Sequence, residues 1–230
     1  MTKNPIFVAL DTPDLSKAFA LASSVKPYVG GYKVGLEFIT ANGPDGIRKI
    51  VALGVPVFAD VKFHDIPNTV AGAARELAKV GAALFNVHAS GGEAMMRAAR
   101  EAAPESKIIA VTVLTSMSDA DLEAVGQERP ADAQVARLAK LAQLSGLDGV
   151  VCSPREIGLV RKACGADFLI VTPGVRPKGA GLDDQSRVMT PAEAARAGAD
   201  ILVVGRPITA AADPAAAARA IFEEVAGVAA

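Results

Sequence analysis

The chain has few of the features that mark a disulfide-bonded, membrane or nucleic-acid-binding protein. Only two cysteines occur in 230 residues, Cys152 and Cys164. They have no metal-ligand spacing, so free or buried thiols in a reducing cytoplasm are expected. Neither sign of charge dominates, with 24 Lys and Arg against 25 Asp and Glu and a net charge of −1. Such a balance provides no field for nucleic acid or anionic membrane, so any anionic ligand must be held by a local cluster. No apolar run approaches the ~20 residues of a membrane span. The start Met1-Thr2-Lys3-Asn4-Pro5 leads into a strand-like segment rather than a signal peptide. Gly-x-Gly-x-x-Gly does not follow the first strand-like run, which counts against a dinucleotide-binding sheet. No linker, low-complexity tract or internal repeat beyond a βα period divides the chain, and residues 1–230 read as one domain.

What is present is alternation. A hydrophobic content of 51% is ample for a sizeable core. Short β-branched runs are expected as strands at Ile6–Leu10, Gly31–Leu36, Val55–Val61, Ala83–His88, Lys107–Thr112, Gly149–Cys152, Phe168–Thr172 and Ile201–Val204. Between them, Ala-rich amphipathic stretches predict helices at Ser16–Val25, Gly46–Leu53, Val70–Val80, Glu93–Ala103, Ala133–Leu144, Glu156–Ala163, Pro191–Ala197 and Pro214–Val225. Gly54, Gly81, Gly146 and Gly198 punctuate helix ends, and Thr190 and Asp213 stand as cap candidates before Pro191 and Pro214. Eight βα units in this length predict an α/β fold, a single-domain (β/α)8 TIM barrel, with an open doubly wound sheet as the alternative.

Polar residues collect where the strands end. Asp11 follows the first strand, Lys33 lies in the second, Asp60 and Lys62 close the third, and Asn86 and His88 close the fourth. Thr112 and Thr115 follow the fifth, Ser153 the sixth, Thr172 the seventh and Gly205-Arg206 the eighth. Burying unpaired charge in an apolar strand is costly, so Lys33, Asp60 and Lys62 are expected to pair. Period-two alternation puts Asp60 and Lys62 on one face. With strands ~4.8 Å apart, Asp11, Lys33, Asp60 and Lys62 fit one cluster of alternating charge, each member kept ionised by its neighbours. His64 and His88 read equally as hydrogen-bonded structural histidines or as ligands, and they do not define a metal site.

A second constellation follows the seventh and eighth strands, the usual phosphate position of a (β/α)8 barrel. The connection from Val171 through Pro173, Arg176 and Gln185 is rich in glycine, which lets backbone N–H groups approach an anion. Arg206 offers a planar fork for phosphate oxygens, and Gln185 a neutral donor.

Three motifs together resemble the orotidine 5′-phosphate decarboxylase family in its short bacterial form. They are Asp60-Val61-Lys62-Phe63-His64-Asp65-Ile66-Pro67-Asn68-Thr69, Val171-Thr172-Pro173-Gly174-Val175-Arg176 and Val204-Gly205-Arg206-Pro207-Ile208-Thr209. The resemblance runs from Leu10-Asp11 to the last helix. It implies decarboxylation of orotidine 5′-monophosphate to uridine 5′-monophosphate in pyrimidine biosynthesis, with neither cofactor nor metal. Asp11 and Lys33 are then expected to bind the ribose, Asp60 to sit beside the substrate carboxylate and Lys62 to donate the proton. The resemblance also implies a homodimer in which Asp65 and Thr69 reach the neighbouring subunit's site. Thr115, Ser116 or Ser118 would contact the pyrimidine, and Arg176, Gln185, Gly205 and Arg206 would grip the phosphate.

Loss of CO2 from the pyrimidine leaves an in-plane carbanion with no adjacent π system. An electron-sink cofactor is one common answer, but the chain has no recognisable site for one. The remaining answer is a preorganised cation, and Lys62 suits that role. Three rivals stay open at this point: a metal-dependent sugar-phosphate enzyme on the same barrel, a Schiff-base aldolase using Lys62, and a non-catalytic sensor of phosphorylated ligands.

Overall fold

The computed structural model describes residues 4–177 and 189–228. Eight parallel strands close into a barrel in sequence order. They are β1 (Ile6–Ala9), β2 (Gly31–Val34), β3 (Val57–Phe63), β4 (Leu84–His88), β5 (Lys107–Val111), β6 (Gly149–Val151), β7 (Leu169–Thr172) and β8 (Ile201–Val204). β1 pairs with both β2 and β8, which closes the ring and removes the open-sheet alternative. Around it lie α1 (Leu15–Val25), α2 (Leu36–Val51), α3 (Pro67–Lys79), α4 (Glu93–Ala102), α5 (Asp119–Ala124), α6 (Ala131–Leu144), α7 (Ile157–Cys164), α8 (Pro191–Arg196), α9 (Arg206–Thr209) and α10 (Pro214–Ala226).

Strand alternation builds two cores. Phe7, Ala9, Phe58, Leu84, Ile109, Val171, Ile201 and Val203 fill the barrel interior. Their neighbours Ile6, Val8, Ala59, Phe85, Ile108 and Leu202 face outward and pack under the helices. Both faces of each strand are thus covered, which is why the strands read as nearly unbroken apolar runs.

Helix ends follow their local chemistry. Thr190 and Glu193 form a reciprocal capping box that starts α8, and the Asp213 carboxylate accepts the Ala216 N–H at the start of α10. Gly146 and Gly198 end α6 and α8 with φ of 79° and 103°, in the left-handed region where a side chain is disfavoured. The expected helix at 46–53 is longer than its sequence implies. α2 begins at Leu36 and bends at Gly43, whose φ is 60°, before Pro44. Asn42-Gly43-Pro44 carries a turn signal, but here it joins two helical pieces end to end. The short helices α5 and α9 have no counterpart in the expected set.

At the amino-terminal end of the barrel, two aspartates serve the same purpose. Asp148 accepts the Ile108 N–H and pairs with Arg100 and Lys107, while Asp200 accepts the Ile170 N–H and pairs with Arg161. Each pins the strand that follows it to the strand immediately before it in sequence order. No helix of the described residues is long and apolar enough to cross a membrane.

Candidate active site

The carboxyl-terminal mouth of the barrel is organised by an irregularity in β3. Ala59 pairs with Phe85 and Phe63 with Val87, so Asp60, Val61 and Lys62 all face the lone Asn86 of β4. Lys62 adopts φ 53°, the one non-glycine residue at positive φ among those described. A side chain in that region costs about 1–3 kcal/mol and persists only where its surroundings impose it. Here Asn86 supplies the missing strand partner, because its Oδ1 accepts the Lys62 N–H at 2.7 Å. Its Nδ2 donates to Asp60 Oδ1, also at 2.7 Å. Simple alternation is therefore not the full reason that Asp60 and Lys62 share a face. Two extra residues preserve the parity of β3 while bending its backbone.

From this bulge a line of alternating charge crosses three strands. Lys62 Nζ lies 2.5 Å from Asp60 Oδ1, Asp60 Oδ2 lies 3.6 Å from Lys33 Nζ, and Lys33 Nζ lies 2.8 Å from Asp11 Oδ1. The side chains of Lys33 and Asp60 are only 10% and 15% exposed, so their charges are weakly screened. Burial pushes the Asp60 carboxyl up. The Lys33 and Lys62 ammonium groups and hydrogen bonds from Lys62 and Asn86 outweigh it, holding the group below the usual carboxylate range. Gly35 makes room for the line: a Cβ there would stand 2.7 Å from Asp11 Oδ1 and 2.8 Å from Lys33 Nζ.

The same cavity, about 540 Å³ in volume, receives the segments that follow β7 and β8. Pro173, Gly174 and Arg176 line it from one side, Gly205, Arg206 and Thr209 from another. Arg176 is buried, and its N–H donates to Met189 O at 2.9 Å, tying together the two described ends of the long connection. Phe58, Val111, Val151 and Val203 form an apolar floor. One pocket thus collects the paired charges of the line together with two arginines, Arg176 and Arg206. Among the described residues, no group of three or more His, Cys, Asp or Glu is placed to hold a metal ion.

Residues 4–221 match the model of the family described as orotidine 5′-phosphate decarboxylase / HUMPS. The chain belongs to this family. It is 58% identical to the orotidine 5′-phosphate decarboxylase of Moorella thermoacetica, over 97% of this chain and 92% of that protein. It is 53% identical to the enzyme of that name from Paramagnetospirillum magneticum, over 96% and 98%. Among solved structures, the orotidine 5′-phosphate decarboxylase of Lactobacillus acidophilus superposes with a TM-score of 0.86 at 39% identity, covering 97% of this chain and 99% of that one.

For this member of the orotidine 5′-phosphate decarboxylase / HUMPS family, most of the expected site residues converge. Asp11, Lys33, Asp60, Lys62, Thr115, Pro173, Arg176, Gly205 and Arg206 all line the one cavity. Of the three hydroxyl residues considered for the pyrimidine, Thr115 faces the cavity. Ser118 Oγ instead bonds Asp121 and caps α5, and Ser116 is exposed. Asp65 and Thr69 do not join the cavity. Both are exposed at the start of α3, and Asp65 Oδ1 accepts the Ile66 N–H. Gln185 lies outside the described residues, as do Lys178 and Asp184. His88 stacks at a tilt on His64 with centroids 5.6 Å apart. Burial, with His64 and Lys62 adding to it, lowers the His88 imidazole below its ordinary value and keeps it neutral near pH 7. Asn86, expected only as a polar residue at a strand end, also lines this cavity. Its signal was an amide within the apolar run Leu84-Phe85-Asn86-Val87.

Proposed function

We propose that this chain converts orotidine 5′-monophosphate into uridine 5′-monophosphate and CO2, a step of pyrimidine biosynthesis, without a cofactor. The observation that carries the reading is the line Asp11–Lys33–Asp60–Lys62 in the same cavity as Arg176 and Arg206. The bond from the ring carbon to the carboxylate breaks, CO2 leaves, and the electron pair stays on the ring. The Lys62 ammonium stabilises that pair before delivering a proton to it, which needs no electron sink. Asp60 holds Lys62 in place and presents negative charge where the substrate carboxylate would lie. Its contact with Lys33 keeps that charge in an otherwise apolar setting.

Arg176, Arg206 and the Gly205 backbone would take the phosphate, with Gln185 as a further donor and Thr115 on the pyrimidine. Binding energy gained at the phosphate then positions the ring over Lys62. Asp11 and Lys33 would hold the ribose. We assign Asp65 and Thr69 to the site of a second copy, in a homodimer. Both are exposed beside Ile66, which is 68% exposed, and neither touches the cavity of its own chain. Two free, buried thiols fit a cytoplasmic setting.

Mixing the protein with orotidine 5′-monophosphate in the presence of a strong chelator tests this reading. The ultraviolet absorbance of the orotate ring should fall with stoichiometric release of CO2. Absorbance that stays constant would contradict the reading, and a fall seen only after a divalent metal is added would favour the metal-dependent rival.

A further inference from the structure

The proton donor of this site is not held by its own strand. Lys62 sits at positive φ in a stretch of β3 that has lost its register with β4. Three contacts fix its position: the ion pair from its ammonium to Asp60, and the two hydrogen bonds that Asn86 makes to the Lys62 N–H and to Asp60. Asp60 Oδ1 therefore receives both Lys62 Nζ and Asn86 Nδ2. Asn86 is 1% exposed within an apolar strand, a placement with a cost unless its polar atoms are used.

Resting on the decarboxylase reading, we propose that Asn86 is the positioning residue of the reaction. Its amide presents an NH2 donor group and a C=O acceptor on a single rigid plane. The acceptor holds the Lys62 backbone in the bulge. The donor fixes which oxygen of Asp60 receives the ammonium. One side chain thereby sets the point in space from which the proton is delivered, at the residue whose backbone is least able to hold itself there. No aliphatic residue does this, and a carboxylate at position 86 does half of it while opposing Asp60. The ionisable groups around that position are Asp60 and Lys62 on β3, Lys33 on β2 behind Asp60, and His88 two residues along β4. β5 places apolar Ile109 opposite.

The test compares wild-type protein with Asn86→Ala and the near-isosteric Asn86→Asp, following orotidine 5′-monophosphate turnover. Asn86→Ala is expected to lower kcat by about 10²-fold while KM changes by no more than about threefold, because misplacement of the donor affects the reacting geometry and not the phosphate grip. Asn86→Asp is expected to be impaired at about pH 8 and to recover towards wild type as the pH falls to about 5.5, where the facing carboxylates share a proton and the missing donor returns. A merely structural role would give no such recovery. Asn86→Ala with kcat within about threefold of wild type, or Asn86→Asp with a loss that does not change with pH, would overturn the proposal alone. Variants that both fail to fold would also overturn it, by making Asn86 a folding residue. An inactive wild-type protein would overturn the decarboxylase reading and this one together.

Discussion

Asp60 stands between two ammonium groups, and its ionisation is coupled to both. Because its folded-state pKa lies below the ordinary value of 3.8, the ionised carboxylate contributes stability that is fully present above that value. The contribution is lost as the pH falls through the lower, folded-state value. Lys62→Met removes one neighbouring cation and one hydrogen bond but leaves the burial that pushes the carboxyl up. The Asp60 pKa should then rise, and this part of the acid loss of stability should begin at higher pH. A carbon-detected NMR titration of the Asp60 carboxyl in both proteins checks this, and an unchanged or lower value in the variant would contradict it. The charged line was legible in the sequence because lysine and aspartate inside apolar strands are too costly to be accidental. The placement of Asn86 against Lys62 and Asp60 was not, because it depends on how β3 and β4 fall out of register, which no local pattern encodes.

The β-strands were legible for a related reason. Strands buried on both faces leave runs of Val, Ile and Leu, and the glycines that end the helices mark the spaces between. α2 was harder, because Asn42-Gly43-Pro44 signals a break whether or not a helix resumes beyond it. The barrel also separates stability from chemistry by end. Asp148, at the start of β6, accepts a backbone N–H and pairs with Arg100, with the two side chains 16% and 20% exposed. Asp148→Ala leaves the half-buried Arg100 without that partner and is expected to cost about 3 kcal/mol of stability. Its turnover should stay within about twofold of wild type, since catalysis in this fold belongs to the opposite rim. Chemical denaturation alongside steady-state kinetics reads both. A large loss of kcat at unchanged stability would contradict this division.

For the whole molecule, the proposed homodimer assigns Asp65 and Thr69, both exposed, to the site of a second copy. Outside the cavity of their own chain, they predict complementation. Asp65→Ala and Lys62→Ala variants, each inactive alone, should regain activity when their subunits are exchanged. At equal mixing about a quarter of the wild-type activity is expected, since half the dimers are mixed and one of their two sites is intact. No recovery after demonstrated exchange would show that each site is built within one chain.

The central claim is that Lys62 supplies the proton while the rest of the cavity binds the nucleotide. Its most direct test is the Lys62→Ala protein, assayed for turnover of orotidine 5′-monophosphate and, by calorimetry, for binding of uridine 5′-monophosphate. Turnover should fall by about 10⁴-fold with product affinity changed by no more than about tenfold. Turnover within about tenfold of wild type would contradict the claim.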